Sequence, residues 1–241
     1  MRIGILETGT LPDALGAAHG DYTSMFRALL APEAPEASYL TVPVWDGALP
    51  DDVAAVDGWV VTGSRHGVYD PLPWMAPLEA TIRACRDAQI PLFGVCFGHQ
   101  IMAQALGGAA ELAAQGWGVG RAQYDYADKP GWTGGAKGGF SQLAMHRDQV
   151  TRQPEGTTLL ARSAHCPIAA LAYGDPQQPW ALSVQPHPEF RHEFLADLVE
   201  TRRSSLLGDD VADAALKSLS SPTEGADWAA WCIGLFTRWR G

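Results

Sequence analysis

Short apolar runs alternate with amphipathic stretches along the first half of the chain. The runs with the length and residue types of strands are Arg2–Leu6, Ser38–Val44, Gly58–Thr62 and Ile90–Val95. Helical spacing separates them at Tyr22–Leu30, Trp74–Ala88 and Gly98–Leu106. Ile90–Val95 is apolar throughout, as expected where helices cover both faces of a parallel sheet. The first half therefore predicts a parallel sheet between two helical layers.

The second half of the chain has a different pattern, with several strands and mainly turn-like connections. The predicted strands are Val119–Tyr126, Phe140–Met145, Thr157–Ala161, Ile168–Ala172 and Ala181–Val184, and helical spacing returns at His192–Leu206 and Asp227–Trp239. The glycine-rich segment Ala127–Gly139 is expected to be a surface excursion. This order predicts an α/β fold in one domain spanning residues 1–241: a doubly wound sheet with an antiparallel extension.

Composition narrows the function classes. Hydrophobic residues make up 46% of the 241 positions and charged residues 18%, which excludes a mainly disordered chain. The net charge of −10 argues against binding to nucleic acid or to an anionic membrane. Neither a signal peptide nor a membrane-spanning run is recognisable, so we expect a cytoplasmic protein with reduced thiols.

Cys96 lies at an abrupt junction between a predicted strand and a predicted helix. Gly94 and Gly98 flank it at the spacing seen around the nucleophiles of hydrolase elbows. Glycine neighbours leave room for a sharp turn, and the first amides of the helix would favour a thiolate. The sequence thus favours Cys96 as a nucleophile, although a free cysteine is more often a buried apolar residue.

A second group of polar residues, Gln185-Pro186-His187-Pro188-Glu189, follows the last predicted strand. Residues two apart in an extended chain face the same side, so Glu189 can lie behind the imidazole of His187. A carboxylate in that position orients a histidine base and stabilises its protonated form. Together with Cys96, these residues predict a nucleophile–base–acid triad.

The two segments resemble the class I, or triad, glutamine amidotransferases, whose motifs G-x-C-x-G-H-Q and Q-x-H-P-E stand at Gly94–Gln100 and Gln185–Glu189. Asp57–Ser64, Met145–Val150 and Cys166–Leu171 are also similar to segments of the glutaminase part of GMP synthetases. The resemblance covers about residues 40–192. It implies a flavodoxin-like three-layer αβα fold with a mostly parallel central sheet and an antiparallel extension.

The resemblance also implies a role for each matched residue. Cys96 would attack the γ-amide of glutamine or of a γ-glutamyl conjugate, His187 would shuttle the proton, and Glu189 would orient His187. The backbone N–H groups of Gly63, Ser64 and Phe97 would bind the oxyanion. Gln100, Met145 and His146 would hold the α-amino and α-carboxylate ends of the substrate. The family chemistry requires no cofactor and no metal.

Two residues in the loop after the third predicted strand depart from the family pattern. Ser64 replaces a glycine, and Arg65 replaces the following proline. A backbone donor survives the first change. Arg65, with its neighbour His66, could bind an additional carboxylate of the substrate, or both could be solvated loop residues.

The other histidines and glycines do not have the spacing of a further catalytic, metal or phosphate site. His99 follows Cys96 by three residues and is expected to shape the pocket rather than to act as a base. His187 and His192 lack the spacing of a helical zinc site, and Gly131–Gly139 lacks the pattern of a phosphate-binding loop. Cys85, Cys166 and Cys232 have no flanking glycines and are expected to pack in the core.

Three functions remain open. No synthase domain is recognisable after the matched segment in this sequence, so we expect the chain to lack one. Residues 192–241 are expected to form a helical tail with Trp228, Trp231, Leu235 and Trp239 on one stripe. The chain could be a stand-alone hydrolase, the glutaminase subunit of an amidotransferase that passes ammonia to a separate synthase, or a non-enzymatic binding protein. Gly20–Phe26 is similar to a G-G-Y-x-x-x-F segment of plant γ-glutamyl peptidases, which favours the stand-alone hydrolase.

Overall fold

The computed structural model describes residues 1–134 and 138–238, and most of its strands form one nine-stranded mixed sheet. The strands are β1 (Arg2–Glu7), β2 (Ser38–Pro43), β3 (Gly58–Val61), β4 (Leu92–Val95), β5 (Ala109–Leu112), β6 (Gly118–Tyr126), β7 (Gly139–His146), β8 (Asp148–Arg152), β9 (Thr157–Arg162), β10 (Ala170–Asp175) and β11 (Gln178–Val184). Their order in the sheet is β2-β1-β3-β4-β11-β10-β9-β6-β7. The sheet changes character at β11, which separates a parallel half from an antiparallel half.

The parallel half contains β2, β1, β3, β4 and β11. From β11 onward, each neighbouring pair is antiparallel. The predicted α/β fold, with a parallel sheet and an antiparallel extension, is therefore confirmed.

Helices cover both faces of the sheet. They are α1 (Asp13–His19), α2 (Tyr22–Leu30), α3 (Met75–Asp87), α4 (Phe97–Ala105), α5 (His192–Arg202), α6 (Asp209–Ser218) and α7 (Trp228–Arg238). α2 and α7 share one apolar cluster with the sheet, whereas α3 and α4 share another. In the described ranges, no helix is both long and apolar enough to span a membrane.

Alternation along the strands explains why the sheet has a helical layer on each side. In β4, Phe93 and Val95 belong to the cluster of α2 and α7, while Leu92 belongs to the cluster of α3 and α4. Adjacent strand residues point to opposite faces, so a fully apolar strand needs two apolar partners.

Several elements differ from the sequence-based expectations. β5 and β8 pair in a small separate sheet, and α1 and α6 are additional helices. The strand expected at Ile168 begins at Ala170 and continues to Asp175, whereas the helix expected over His192–Leu206 ends at Arg202 and is followed by a π-type turn. The tail contains α5, α6 and α7, and Trp239 lies outside the described residues.

The missed elements have weak local patterns. α1 contains Gly16 and buries Leu15 alone, so its sequence carries little helical periodicity. β5 and β8 are four and five residues long and are separated in the chain by two strands. Their pairing is a tertiary contact that no local pattern can indicate.

Candidate active site

The expected site residues lie at the carboxyl ends of neighbouring parallel strands. Thr62, Gly63 and Ser64 follow β3, Cys96 follows β4, and the segment containing His187 follows β11. Because these strands are adjacent and parallel, their carboxyl ends meet at one edge of the sheet. Ligands of open α/β sheets bind in this position.

Cys96 occupies a sharp turn between β4 and α4. Its φ of 54° and ψ of −104° lie outside the regions that ordinary side chains prefer. A residue held in such a conformation costs about 1–3 kcal/mol, which the surrounding structure must offset. The turn lifts the Cys96 side chain above the edge of the sheet, where it lines a pocket.

The flanking glycines permit this turn because both approach other atoms closely. A Cβ atom on Gly98 would lie 2.2 Å from the carbonyl oxygen of Val61 in β3. A Cβ atom on Gly94 would lie 2.5 Å from the sulfur of Met102. The glycines let α4 pack directly against the sheet and thereby bring Cys96 close to the loop after β3.

The first N–H groups of α4 have no partner within the helix, as at every helix N-terminus. Cys96 donates its own N–H to the carbonyl of Val184 at 2.9 Å, which ties the turn to β11. The next N–H belongs to Phe97, at the first position of α4. This group follows the thiol by one residue, and as the first N–H of the helix it has no acceptor within α4.

His187 and Glu189 form a buried pair. The backbone N–H of His187 donates to the carbonyl of Leu143 at 2.7 Å, which fixes the segment against β7. The His187 Nδ1–H donates to Glu189 Oε1 at 2.7 Å, and the Glu189 side chain has 0% exposure. In the described structure the second carboxylate oxygen, Oε2, is buried without a hydrogen-bond partner. The imidazole of His187 is therefore the hydrogen-bond partner of the Glu189 carboxylate in the described structure.

The surroundings of His187 favour its protonated form. Burial by itself lowers the pKa of the imidazole, but the charge of Glu189 and the nearby Cys96 side chain raise it more strongly, to about 10. The ring of Phe190 also stacks on the imidazole, with centroids 3.8 Å apart and planes at 7°. His187 is thus held both electrostatically and by its ring plane.

The loop after β3 contacts both Cys96 and His187. A Cβ atom on Gly63 would lie 3.0 Å from Cε1 of His187 and 3.8 Å from Cβ of Cys96. The Gly63 carbonyl accepts hydrogen bonds from the hydroxyls of Thr8 and Thr62, at 3.0 and 3.1 Å. Since a trans peptide directs its N–H opposite to its C=O, the Ser64 N–H points away from Thr8.

Gln100, Met145 and His146 also line this pocket. The side-chain nitrogen of Gln100 donates to the carbonyl of Asp148 at 2.8 Å and to Oε1 of Gln185 at 3.1 Å. These bonds occupy both of its N–H groups, so Gln100 can reach a ligand through Oε1. Burial lowers the pKa of His146 to about 3, which leaves this imidazole neutral at physiological pH.

The pocket occupies about 610 Å³ including its open mouth. Besides the expected residues, His66 among them, it is lined by Tyr22, Trp117, Arg147, Asp148, Phe190, Leu198 and Arg202. Arg147 and Asp148 lie within a matched motif, and Tyr22 lies within the short segment Gly20–Phe26. Leu198 and Arg202 come from α5, and no local signal indicated that this helix would reach the site.

Arg65 is exposed at the mouth of the pocket. Its Nε–H donates to Nε2 of His66 at 3.4 Å, and Nδ1 of His66 contacts Asp70 at 3.2 Å. The carboxylate partner of His66 is therefore inside the loop itself, while the guanidinium tip of Arg65 remains available at the mouth.

His99 has a partner on each ring nitrogen and points away from this chemistry. Nδ1 contacts the Ser183 hydroxyl at 2.7 Å, and Nε2 contacts the Ile168 carbonyl at 3.0 Å. Burial lowers its pKa to about 4. The cysteines other than Cys96 are unpaired and buried.

The sequence profile of the class-I glutamine amidotransferase family matches residues 39–198. The chain belongs to this family. Its structure is similar to that of a glutamine amidotransferase from Methylobacillus flagellatus, with a TM-score of 0.74 and 18% identity, over 99% of this chain and 94% of the other.

Two kinds of curated relative share its sequence. The chain is 27% identical to γ-glutamyl peptidase 5 of Arabidopsis thaliana over 224 residues, which cover 89% of this chain and 87% of the peptidase. It is 30% identical to a glutamine-hydrolysing GMP synthase of Synechococcus sp. (strain CC9902) over 181 residues, covering 71% of this chain and 31% of the synthase. The family and these relatives support a glutamine or γ-glutamyl hydrolase class of activity.

Proposed function

We propose that this protein is a cysteine-nucleophile hydrolase that cleaves the γ-amide of glutamine or of γ-glutamyl conjugates through a γ-glutamyl thioester, without a partner subunit. The observation that carries the proposal is the strained turn of Cys96, which faces a histidine held by the buried carboxylate of Glu189. The match to γ-glutamyl peptidases over most of both chains supports the stand-alone form.

In the first half of the reaction, the Cys96 sulfur attacks the γ-carbonyl carbon. A C–S bond forms, and the negative charge moves to the carbonyl oxygen, where the N–H groups of Ser64 and Phe97 donate to it. The Gly63 peptide, clamped by two threonine hydroxyls, orients the Ser64 donor. The C–N bond then breaks, and His187 transfers its proton to the departing ammonia or amine.

In the second half, water hydrolyses the thioester. His187, now neutral, takes a proton from the water as its oxygen attacks the same carbon. The C–S bond breaks and glutamate leaves. Cys96 is again a thiolate beside the protonated ring of His187, which is the state in which the reaction began. Glu189 keeps the ring oriented in both halves and stabilises the protonated ring.

The polar groups around Cys96 suit the glutamyl end of the substrate. Oε1 of Gln100 can accept a hydrogen bond from the α-ammonium, and the Asp148 carboxylate in the same pocket adds negative charge. Backbone groups near Met145 and His146 complete this part of the pocket. Arg65, at the mouth, offers a guanidinium for an additional carboxylate beyond the glutamyl group.

The direct test is turnover by the purified chain. We expect release of ammonia from glutamine, or of free amine from γ-glutamyl dipeptides, with no added protein. Covalent labelling of Cys96 by a glutamine-like chloroketone should abolish that release. Normal turnover by the fully labelled protein would contradict the proposed nucleophile.

The main alternative is a glutaminase subunit that delivers ammonia to a separate synthase, and the 30% identity with a GMP synthase favours it. Negligible turnover alone, restored by an added synthase fraction, would support this alternative. A third possibility, a non-enzymatic binding protein, would be supported by tight glutamine binding without turnover under either condition.

Glu189→Gln should reduce kcat by about 10³-fold, because a neutral amide orients the imidazole poorly and does not stabilise its charged form. With the carboxylate gone, burial should lower the pKa of His187 from its raised value, which NMR titration of the imidazole would report. The control is Asp197→Asn, which neutralises an exposed carboxylate at the same 2.7 Å distance from a histidine and should leave kcat within about twofold. An unchanged His187 pKa in the Glu189 variant would contradict this role.

Phe190→Leu should lower kcat about tenfold with little change in KM, because the stacked ring fixes the imidazole plane. The aromatic face also stabilises the imidazolium, so the alkaline limb of the kcat profile should move to lower pH. Phe194 contacts Phe190 edge-on, with centroids 4.6 Å apart, and Phe194→Leu provides the matched control. If both variants shift the pH profile equally, the effect belongs to general packing rather than to the stack.

A further inference from the structure

Three arginines line the candidate pocket. Arg65 lies in the loop after β3, Arg147 follows β7, and Arg202 ends α5. Within the described residues, the ion pairs formed by arginines involve Arg83, Arg86, Arg121 and Arg203 instead. The three pocket guanidinium groups therefore have no carboxylate partner in an ion pair, although the chain has an excess of acidic residues.

The contrast between Arg202 and its neighbour is informative. Arg203 contacts the carboxylates of Glu200, Asp209 and Asp213 at 2.8, 3.2 and 2.8 Å. Arg202 is partly buried, lines the pocket together with Tyr22, on whose hydroxyl its charge acts, and forms no ion pair with these carboxylates. The acidic residues of α5 and α6 that lie nearby thus pair with Arg203, and Arg202 is free to interact with a ligand in the pocket.

The charges in the pocket exceed those of a γ-glutamyl group. Asp148 is the single carboxylate in the described lining. His66 has Asp70 as its carboxylate partner, and burial lowers the pKa of His146, so that this ring carries no charge. A bound γ-glutamyl group brings one ammonium and one carboxylate, so it balances itself. Three arginines against one aspartate leave two positive charges for the rest of the substrate.

We propose that Arg65, Arg147 and Arg202 form an anion-binding rim that selects γ-glutamyl conjugates whose leaving amine carries a carboxylate. This inference rests on the proposed function and adds the chemical class of the leaving group. Guanidinium groups bind carboxylates through paired, charge-assisted hydrogen bonds. The rim also provides local attraction on a chain whose net charge of −10 repels anions elsewhere.

Binding to the Cys96→Ala protein tests the rim without requiring turnover. The probes are γ-glutamyl-alanine and γ-glutamyl-alaninamide, which differ by one carboxylate charge. We expect Kd to be about tenfold lower for the acid than for the amide, with γ-glutamyl-glutamate binding more tightly still. The difference should shrink with added salt. Equal Kd values for the acid and the amide would overturn the rim.

Arginine variants locate the effect. Arg65→Gln, Arg147→Gln and Arg202→Gln, made in the Cys96→Ala protein, should each reduce the preference for the acid. The control Arg203→Gln removes the same charge next to Arg202 and should leave the preference unchanged. A preference that survives loss of all three arginines would overturn the assignment.

The failures of the two proposals are separable. Wild-type protein that binds acids preferentially but hydrolyses none of the probes would contradict the proposed hydrolase and support the rim. Hydrolysis of all probes with equal kcat/KM, together with equal Kd values, would contradict the rim alone.

Discussion

Cys96→Ala is expected to lower kcat for γ-glutamyl hydrolysis by about 10⁵-fold, because loss of the nucleophile in a triad removes nearly the whole covalent route. The residual rate would come from the oxyanion donors and from substrate binding alone. Steady-state and single-turnover assays with γ-glutamyl-alanine would measure the loss. The free energy of unfolding should change little, since the substitution removes one sulfur from the edge of a solvent-open pocket.

Cys85→Ala is the matched control for this experiment. Cys85 is buried among the residues of the α3 and α4 cluster, away from the pocket lining. We expect it to cost about 1–2 kcal/mol of stability and to leave kcat unchanged for folded protein. A Cys96→Ala protein that retains wild-type turnover would contradict the proposed mechanism.

Gly98→Ala is expected to have the largest effect on stability, a loss of about 3 kcal/mol in the free energy of unfolding. The added methyl group would lie 2.2 Å from the Val61 carbonyl oxygen and 2.9 Å from its carbon. Both are backbone atoms of a central strand, so α4 must move away from the sheet. Because Cys96 immediately precedes α4, a shift of about 1 Å should also reduce kcat about 10²-fold.

Gly234→Ala makes the same chemical change in α7, where no described atom beyond the helix's own backbone lies within 4 Å of the added Cβ. Here we expect stability to increase by about 0.5–1 kcal/mol, as is usual for alanine in a helix. Urea unfolding of both variants provides the comparison. Equal effects would mean that close approach of α4 to β3 does not set the requirement for glycine at position 98.

The parallel half of the fold could be predicted from the sequence because its signals are local. The apolar run ending at Val95 requires burial on both faces, and the glycines beside Cys96 mark the turn. These features depend on residues within a few positions of one another, so periodicity and spacing detect them. The same locality explains why His187 and Glu189 could be paired before the structure was known.

Other parts of the site depend on contacts between distant segments. The pocket residues of α5, Leu198 and Arg202, have helical spacing like any amphipathic helix, and nothing local states which surface that helix covers. The stacking of Phe190 on His187 likewise depends on how the segment after β11 turns back toward the pocket. The packing of α5 beside the pocket determines the positions of Leu198 and Arg202, and Phe194 of the same helix contacts the stacked Phe190 ring.

The sequence by itself determined the family chemistry: a cysteine at a strand-to-helix turn, and a histidine followed at two residues by a glutamate. It did so because backbone conformation and the alternation of side chains act over short distances. The tertiary structure alone decided which charges surround that chemistry, since Arg65, Arg147 and Arg202 come from three separate elements. These three elements meet at the pocket because of the order of the strands in the sheet and the packing of α5. Both depend on contacts between residues that are distant in the sequence.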